Sequence, residues 1–525
     1  MTIAFIKNGL IFLGSLVLPI ADINNKEENN IKQEKRSSVE SASINLDFTK
    51  PIHTMRGGIG ASWHAIDKPA PLPLYVNGRG GNPPLENKDA WAQLYKHASW
   101  LGMDWMRVEF TQVMYEPERG KYDWENREMQ NLYRILDWCE KNKADVFLQQ
   151  MRNDVAWNAF PEWQNDSVKV AASGPHSVDE FAEGLAELVE HLVKEKKYTC
   201  IKWLNITNEP PFWWKQPSGK PLSITPSLEA VKKALAKRKL NVLLTAPDTV
   251  PVTEVNADNI DYDHLIGAYD LHEYFAYFDW RQGNPPVQGN PVPMSVFQRR
   301  LGDWARFAHK KGKPFFLSEL GTHHYGTDIK NPGPAVFEAA LHNAELVVRG
   351  LNTGTDAFSR WSFVNRGETG AQWQIVDTYD TETKTFRDKI TPHPNVYYFY
   401  GLLTRFIAKN STVFESTVDG GTDGKYQRLF TTAVKSPKGQ TTIAVVNDGD
   451  NDIDITVMIS SKSGLKNMYR YAVSKRDADR TDLNMDPKEN IDIHAGKITS
   501  KIPAKSLSIF TTYNLKNSDD GITVE

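Results

Sequence analysis

The chain has 525 residues, of which 40% are hydrophobic and 24% charged, and its formal net charge is -3 at pH 7. This composition is typical of a globular protein that is long enough for a large core and a second domain. The near-neutral charge and the absence of a long Lys/Arg run argue against a nucleic-acid-binding surface.

The N-terminal 21 residues have the pattern of a secretory signal peptide. Lys7 precedes an apolar stretch over residues 10–18 that is too short for a comfortable membrane span. Residues 22–43 are polar and without periodicity, which predicts a flexible linker. We therefore expect an exported protein (periplasmic, cell-surface or secreted) with no membrane span in the mature chain; an uncleaved anchor is the alternative.

Cysteine usage excludes two kinds of site. Cys139 and Cys200 are the only two cysteines, so neither a disulfide framework nor a cluster of cysteine metal ligands is present. We expect two buried free thiols, with Cys139 in a helix and Cys200 at the entry to a strand.

From residue 57 onward, short apolar runs alternate with amphipathic stretches of helical spacing, which is the pattern of a parallel sheet with covering helices. The clearest helix starts at Ser177, with Glu180 three residues later in a capping box. Eight apolar runs are predicted as strands: 58–63, 103–108, 144–149, 201–207, 241–245, 268–272, 315–319 and 357–361. Eight strand–helix units over residues 57–409 fit a (β/α)8 barrel. A doubly wound open sheet is the alternative, although no Gly-rich phosphate loop follows the first strand.

The chain changes character after residue 409. All 15 tryptophans lie between Trp63 and Trp373, whereas residues 410–525 contain short alternating strands separated by turns. We predict a small C-terminal β-sandwich, to which residues 44–56 add an N-terminal strand. The concentration of tryptophan predicts that the chemistry belongs to the first domain.

Two glutamates end hydrophobic runs of the predicted barrel, Glu209 on strand four and Glu319 on strand seven. A buried carboxylate costs free energy unless it is paired or has a function. The carboxyl ends of the strands form one mouth of a barrel, so these two side chains would face each other there. Paired carboxylates at such a place predict the cleavage of a glycosidic bond. A buried salt-bridge partner is the alternative for each.

Asn208-Glu209-Pro210 on strand four, Glu319 on strand seven and Arg107 on strand two resemble the clan-A glycoside hydrolases. These are retaining (β/α)8 enzymes that include families 5, 30, 39 and 51. The resemblance covers the predicted barrel, and the tail is similar to the sandwich of families 30, 39 and 51. It implies that Glu209 is the acid/base, Glu319 the nucleophile and Asn208 the ligand of the sugar 2-hydroxyl. No single family is assigned.

Local geometry decides whether these residues can meet. Strand alternation would place Asn208 and Glu209 on opposite faces, so both reach the mouth only if the strand ends there. The two prolines that follow supply such a break. Arg107 can point to the mouth and hydrogen-bond the nucleophile, which would hold it ionised. A structural pair with Glu109 is the alternative.

Other predicted substrate ligands lie at the ends of further strands. His272 and Tyr274 share one face of strand six, and the resemblance implies that Tyr274 donates to the nucleophile with His272 beside it or lining the subsite. Trp361 ends strand eight, where the resemblance implies an aromatic floor for the sugar ring. His64 ends strand one and is favoured as a ligand of a sugar hydroxyl. A core tyrosine and a structural histidine are the alternatives for Tyr274 and His64.

The tryptophans in the loops are weaker signals, because an aromatic side chain in a long loop lines a subsite about as often as it plugs the loop. They are Trp157, Trp213, Trp214, Trp280 and Trp373. His323 and His324 follow the predicted nucleophile, but no metal-ligand spacing is present, and we expect neither a metal nor a cofactor.

Taken together, these patterns lead us to expect an exported, retaining glycoside hydrolase that acts on a β-linked polysaccharide or its oligosaccharides by double displacement. A non-catalytic glycan-binding protein on the same barrel is one alternative. An inverting glycosidase is another, and its carboxyl groups would lie about 6.5–9.5 Å apart rather than about 5–5.5 Å.

Overall fold

The computed structural model describes residues 40–66, 81–249, 260–276, 296–323, 337–365, 373–380, 383, 385–424, 426–460 and 464–522. The predicted signal peptide and nearly all of the predicted linker lie outside these ranges, as do Trp280, His324 and the side chain of His323. The first described element is strand β1 (Glu40–Thr54), which begins before the predicted position 44.

Eight parallel strands form a closed barrel in chain order. They are β2 (Ile59–His64), β3 (Trp105–Phe110), β4 (Asp145–Gln150), β5 (Ile201–Asn205), β6 (Leu243–Thr249), β7 (Ala268–Ala276), β8 (Phe315–His323) and β9 (Ala357–Arg360). Each of the eight predicted apolar runs overlaps one of these strands. The closed order confirms the (β/α)8 barrel and rules out the doubly wound open sheet.

Helices surround the barrel. In the described part of the chain they are α1 (Lys88–Leu101), α2 (Gln112–Tyr115), α3 (Arg127–Lys141), α4 (Ser167–Ala172), α5 (Val178–Glu190), α6 (Pro210–Trp213), α7 (Thr225–Lys237), α8 (Val296–Lys310), α9 (Phe337–Thr353) and α10 (Val396–Phe406). The Ser177 side chain caps α5 by accepting a hydrogen bond from the Glu180 backbone N–H. No helix in the described ranges combines the length and apolarity needed to cross a bilayer.

The two cysteines are buried and free, which confirms the prediction of two buried thiols. Cys139 lies in α3, and Cys200 directly precedes β5.

The interior of the barrel is layered. Trp105, Phe147 and Phe316 fill its amino-terminal end, and the ring centroid of Trp105 lies 5.5 Å from that of Phe147 and 5.4 Å from that of Phe316. Two residues further along β3, the same strand face carries the fully buried Arg107. The aromatic layer closes the lower end, so the polar groups above it are approached from the carboxyl ends of the strands.

The remaining strands follow the barrel in the chain. They are β10 (Val376–Asp380), β11 (Thr385–Pro392), β12 (Thr412–Gly420), β13 (Leu429–Lys435), β14 (Thr441–Asn447), β15 (Ile453–Ile459), β16 (Asn467–Ser474), β17 (Glu489–Asp492), β18 (Lys497–Ile502) and β19 (Ser506–Thr511). Strands β10 and β11 pair with each other, and the others join β1 in a nine-stranded sheet of order β17-β16-β19-β14-β13-β12-β1-β15-β18.

The nine-stranded sheet folds over on itself. Ile44 of β1 and Ile455 of β15 share a core with Val445 of β14 and Phe510 of β19, although the two pairs of strands are separated by β13 and β12 in the sheet order. The result is a β-sandwich. The other face of β14 and β19 belongs to the core of the barrel and packs against α9 and α10.

The position of β1 generates a stability prediction. Ile44 is fully buried, and β1 lies between β12 and β15, so we expect Ile44→Ala to lower the free energy of unfolding by about 2–5 kcal/mol. Asn45→Ala alters an exposed neighbour on the same strand and should change it by about 0.5 kcal/mol or less. Urea unfolding followed by circular dichroism measures both, and equal losses in the two variants would contradict the burial of Ile44.

Candidate active site

Glu209 reaches the barrel mouth through an irregular strand end. Strand β5 stops at Asn205, and Glu209 has a left-handed backbone with φ 42° directly before α6. Such a conformation is uncommon outside glycine and occurs often at functional sites. It breaks strand alternation, so Asn208 also faces the interior, where its Oδ1 accepts a hydrogen bond from Arg107 Nη2 at 2.8 Å.

Glu319 reaches the same place through a β-bulge. The pairing of β7 with β8 shifts after Leu271, so that Leu271 opposes Leu317 while His272 opposes Glu319. The extra residue, Ser318, still faces the interior, because its Oγ lies 3.4 Å from Asp248 Oδ1. Bulges re-aim side chains in this way next to active sites.

The two carboxylates are neighbours with different exposure. One oxygen of Glu209, one oxygen of Glu319 and one ring nitrogen of His272 lie within 4.8 Å of one another. The Glu319 side chain is 4% exposed, whereas that of Glu209 is 19% exposed. Solvent therefore reaches Glu209 more easily than Glu319.

Arg107 connects Glu319 to the rest of the interior. Its Nη1 lies 2.6 Å from Oε1 of Glu319 and 2.6 Å from Oε1 of Glu109. The contact with the predicted nucleophile and the alternative pair with Glu109 are thus both present. Burial would lower the pKa of Arg107, but the carboxylates of Glu319, Glu109 and Asp248 outweigh it and raise the pKa. Arg107 is a permanent cation in this site.

Two side chains of β7 approach the same carboxylates. The Tyr274 hydroxyl donates to Glu319 Oε2 at 2.6 Å. His272 Nδ1 lies 3.0 Å from Glu209 Oε1 and 3.4 Å from Glu319 Oε2, and its Nε2 lies 2.8 Å from Asp248 Oδ1. Burial opposes a charge on His272, but Asp248 and Glu319 raise its pKa well above the usual value. The imidazolium then donates from both ring nitrogens.

The charge of Glu209 acts on the pKa of Glu319. Burial and, to a smaller extent, the negative charge of Glu209 raise the pKa of Glu319 to about 7, against the opposing effect of the cations Arg107 and His272. Removing the charge of Glu209 would remove that repulsion and favour the ionised form of Glu319.

Two buried aspartates that were not predicted from the sequence complete the site. Asp248 faces His272 and also accepts from Gln149 Nε2 at 3.2 Å, while Asp270 accepts from Asn205 Nδ2 at 2.9 Å. Burial and the nearby Asp248 raise the pKa of Asp270 well above its usual value. Burial would raise the pKa of Asp248 as well, but the positive charge of His272 opposes it, and the pKa of Asp248 lies below its usual value. A sequence signal existed for Asp270, which shares a strand face with His272.

The other predicted ligands lie at strand ends, as follows. Trp361, directly after β9, is 8% exposed, and the Arg107 guanidinium lies 5.7 Å from its ring centroid. His64 ends β2 and is 1% exposed, with Nδ1 3.3 Å from the Ile66 carbonyl oxygen. Glu273 points away from the interior toward Arg300 of α8, at 3.6 Å.

The loop tryptophans separate into two groups. Trp214 is fully buried and its ring meets that of Phe181 edge-on at 5.3 Å, so it plugs a loop. Three others keep part of their surface exposed: Trp157, Trp213 and Trp373. The ring of Trp373 lies edge-on to that of Tyr274, with 5.2 Å between centroids, which places it beside the two glutamates.

The donor set of the site does not favour a metal ion. Glu209, His272 and Glu319 lie close enough together to offer three ligands, but a histidine binds a metal only through an unprotonated nitrogen. Both nitrogens of His272 already face carboxylate oxygens. Arg107 adds a second positive charge against Glu319, so a further cation would meet electrostatic repulsion.

Neither a family model nor a curated protein sequence matches the chain. Solved structures match over most of its length. A glycoside hydrolase family 30 subfamily 8 xylanase from Clostridium acetobutylicum is 15% identical with a TM-score of 0.57, covering 90% of this chain and 99% of that one. An endo-β1,6-glucanase is 14% identical with a TM-score of 0.58, covering 89% and 94%.

A third similar structure is a family 51 arabinofuranosidase from Xanthomonas axonopodis pv. citri, which is 11% identical with a TM-score of 0.52 and covers 90% of this chain and 99% of that one. At such identities the likeness establishes the fold. This chain has the architecture of these glycoside hydrolases, and families 30 and 51 are among those that the sequence motifs resemble.

The charge assigned to His272 can be tested directly. We expect Asp248→Asn to lower the pKa of His272, because Asp248 is the largest influence that raises it. Nitrogen-15 NMR of histidine-labelled protein, with His272→Gln to assign the signal, measures the change. Asp377→Asn is the matched control, since Asp377 faces His393 at 2.9 Å. A wild-type His272 that titrates near the usual value of about 6.5 would show that the imidazolium assignment is wrong.

Proposed function

We propose that the chain is a retaining glycoside hydrolase that cleaves β-glycosidic bonds of a polysaccharide or oligosaccharide by double displacement. The observation that carries this proposal is the proximity of Glu209 and Glu319, which have oxygens within 4.8 Å of each other. Retaining enzymes hold their carboxyl groups about 5–5.5 Å apart, and inverting enzymes about 6.5–9.5 Å to leave room for water. The short separation supports direct attack by one carboxylate over an inverting reaction.

Glu319 is proposed as the nucleophile because a cation and a hydroxyl donor hold its two oxygens in place and stabilise its anion against the effect of burial. Arg107 lies against Oε1 and the Tyr274 hydroxyl donates to Oε2, each at 2.6 Å. Charge-assisted contacts of this kind are short and directional. The low exposure of Glu319 also keeps water from competing with the sugar for it.

Glu209 is proposed as the acid/base because it is the more exposed carboxylate and faces a single strong donor, His272 Nδ1 at 3.0 Å. In the first step, Glu319 attacks the anomeric carbon while Glu209 gives its proton to the leaving oxygen, so one carbon–oxygen bond forms as another breaks. Glu209 then takes a proton from water, whose oxygen attacks the same carbon and releases Glu319 as a carboxylate.

Two further residues are proposed to position the sugar. Asn208 Oδ1 is occupied by Arg107 at 2.8 Å, so its amide N–H groups are left as donors to the sugar 2-hydroxyl. Trp361 would supply an apolar face for the pyranose ring, and His64 a ligand for a hydroxyl. A purely glycan-binding protein is the less favoured function, since binding requires neither paired acids nor a buried imidazolium between them.

We assign this activity to residues 57–409 and infer, from the apolar segment after Lys7, that the protein is exported. Residues 410–525 are proposed to form a sandwich domain that supports the barrel.

A panel of β-linked polysaccharides, incubated with the purified protein, tests the activity. Glu319→Ala should reduce product release by about 10⁴-fold or more, because it removes the nucleophile. Glu273→Gln is the matched control, since Glu273 is also a buried acid but faces Arg300 outside the barrel, and it should stay within a few-fold of wild type. Proton NMR of the first product should show a retained anomeric configuration. Indistinguishable products from wild type and Glu319→Ala would refute the proposal.

The raised pKa of Glu319 predicts how the activity depends on pH. The nucleophile must be ionised, so kcat/KM should fall as the pH drops through the pKa of Glu319, about 7. In Glu209→Gln the repulsion that raises this pKa is gone, and the acid limb should shift to lower pH. An aryl glycoside with a good leaving group, made from the sugar that the panel identifies, measures the shift because it needs no proton from Glu209. If the acid limb of kcat/KM lay at the same pH in Glu209→Gln as in the wild type, the proposed repulsion between the two glutamates would be wrong.

A further inference from the structure

Arg152, two residues after β4, is a buried cation that pairs with no acid in the described part of the chain. It is 6% exposed, its Nε is enclosed without a hydrogen-bond partner, and in the described ranges its Nη atoms donate to no acceptor and form no ion pair. The other buried arginines each donate from an Nη atom: Arg107 to Glu109, Arg349 to Glu345, Arg360 to Asn343, Arg405 to the Trp100 carbonyl and Arg470 to Glu489.

Burial raises the pKa of the neighbouring Asp154 to about 6 and the charge of Arg152 opposes this rise, but no ion pair joins the two side chains in the described ranges. Asp154 instead accepts a hydrogen bond from the Val113 backbone N–H at 3.2 Å, at the start of α2, and has an unusual backbone φ of 27°. A guanidinium has five N–H donors. The Nε donor of Arg152 is enclosed without a partner, whereas its Nη atoms are not enclosed and remain open to solvent or to a ligand. A bound anion would supply acceptors for the Nη donors.

Arg152 lies beside the proposed acid/base. The preceding residue, Met151, accepts a hydrogen bond from the Asn208 backbone N–H at 3.4 Å. The guanidinium carbon of Arg152 lies 5.7 Å from the ring centroid of Trp213. The backbone N–H of Trp213 donates to the backbone carbonyl oxygen of Glu209 at 3.1 Å. The cation and the partly exposed indole therefore lie between the ends of β4 and β5, on the Glu209 side of the mouth.

We propose that Arg152 and Trp213 form a subsite for an anionic sugar residue, recognised through a uronate carboxylate or a sulfate ester. This inference rests on the proposed function and names its substrate class. The planar guanidinium fork matches two oxygens of either anion. The indole stacks on the cation from one side and presents apolar surface to a pyranose ring. Because Glu209 protonates the leaving oxygen, this subsite lies on the leaving-group side of the bond.

Affinity electrophoresis without turnover tests the subsite. All variants carry Glu319→Gln. One set of gels contains polygalacturonate or glucuronoxylan, each compared with its own carboxyl-reduced form. A second set contains carrageenan, compared with desulfated carrageenan. We expect at least one charged polymer to bind tenfold or more tightly than its neutral counterpart. Preference for a carboxylated polymer identifies a uronate, and preference for the sulfated polymer identifies a sulfate ester.

Substitutions of Arg152 then test whether this residue causes the preference for the charged polymer. Arg152→Gln should reduce the ratio of the two Kd values to about one, and Arg152→Lys, which keeps the charge but not the fork, should give an intermediate ratio. Arg119→Gln is the matched control, because Arg119 also lies over a tryptophan, 5.9 Å from the Trp157 centroid, but is exposed and pairs with Glu180 at 3.2 Å. It should keep the full preference.

Three results would overturn the inference: equal binding of every charged and neutral pair, an unchanged ratio in Arg152→Gln, or a fall of several degrees in the Tm of Arg152→Gln. The last would show that the guanidinium has a structural partner beyond Trp213, whereas the absence of hydrogen bonds to the guanidinium in the described ranges predicts only the small change in Tm that loss of the Trp213 contact brings. Binding is measured separately from hydrolysis. A protein that prefers the charged polymer through Arg152 but hydrolyses nothing would therefore refute the hydrolase and leave the subsite standing.

Discussion

The ion pair between Arg107 and Glu319 constrains the whole mouth of the barrel. Both groups are almost completely enclosed, and neither charge is stable there alone, because a buried ion without a partner costs on the order of several kcal/mol. Arg107 must therefore be surrounded by acceptors, which Glu109 and Asn208 provide together with Glu319. Those contacts in turn require the chain to leave β5 before Asn208 and to bulge in β8 before Glu319.

The aromatic layer beneath this network makes the electrostatics strong. Trp105, Phe147 and Phe316 close the lower end of the barrel, so the charges above them interact through a medium of low polarity, where interactions between charges are larger than in water. The same layer explains why burial raises the pKa of Glu319 to about 7. A carboxylate with a pKa near neutrality can change its charge during a reaction cycle at modest cost.

On the side of Glu209 the network continues through His272 to Asp248 and Asp270. The positive charge of His272 lies between Asp248 and Glu319, and the raised pKa of Asp270 disfavours a further negative charge beside them. Arg152 is the exception to this pattern. Every other buried guanidinium that the structure describes donates from an Nη atom to an acceptor, whereas that of Arg152 does not, and it lies next to the proposed acid/base.

Much of this could be read from the sequence. Strands buried on both faces are continuous apolar runs, so all eight barrel strands could be predicted, and a glutamate that ends such a run stands out because it is costly there. Glu209 and Glu319 were found for that reason, and Arg107 through the resemblance to the clan-A glycoside hydrolases. The cap at Ser177 was predictable because it depends on residues within one helical turn.

Other features depend on contacts between distant segments, and only the tertiary structure decided them. The contact of Asp248 with His272, the bulge at Ser318 and the start of β1 at Glu40 follow from register between strands, which apolar patterns specify only roughly. The same is true of the difference between Trp214, which plugs a loop, and Trp213, whose ring lies against Arg152. The sequence by itself determined where the strands and the two key carboxylates lie, because burial leaves a local pattern. Which charges face each other was decided by packing, because electrostatic partners are neighbours in space and not along the chain.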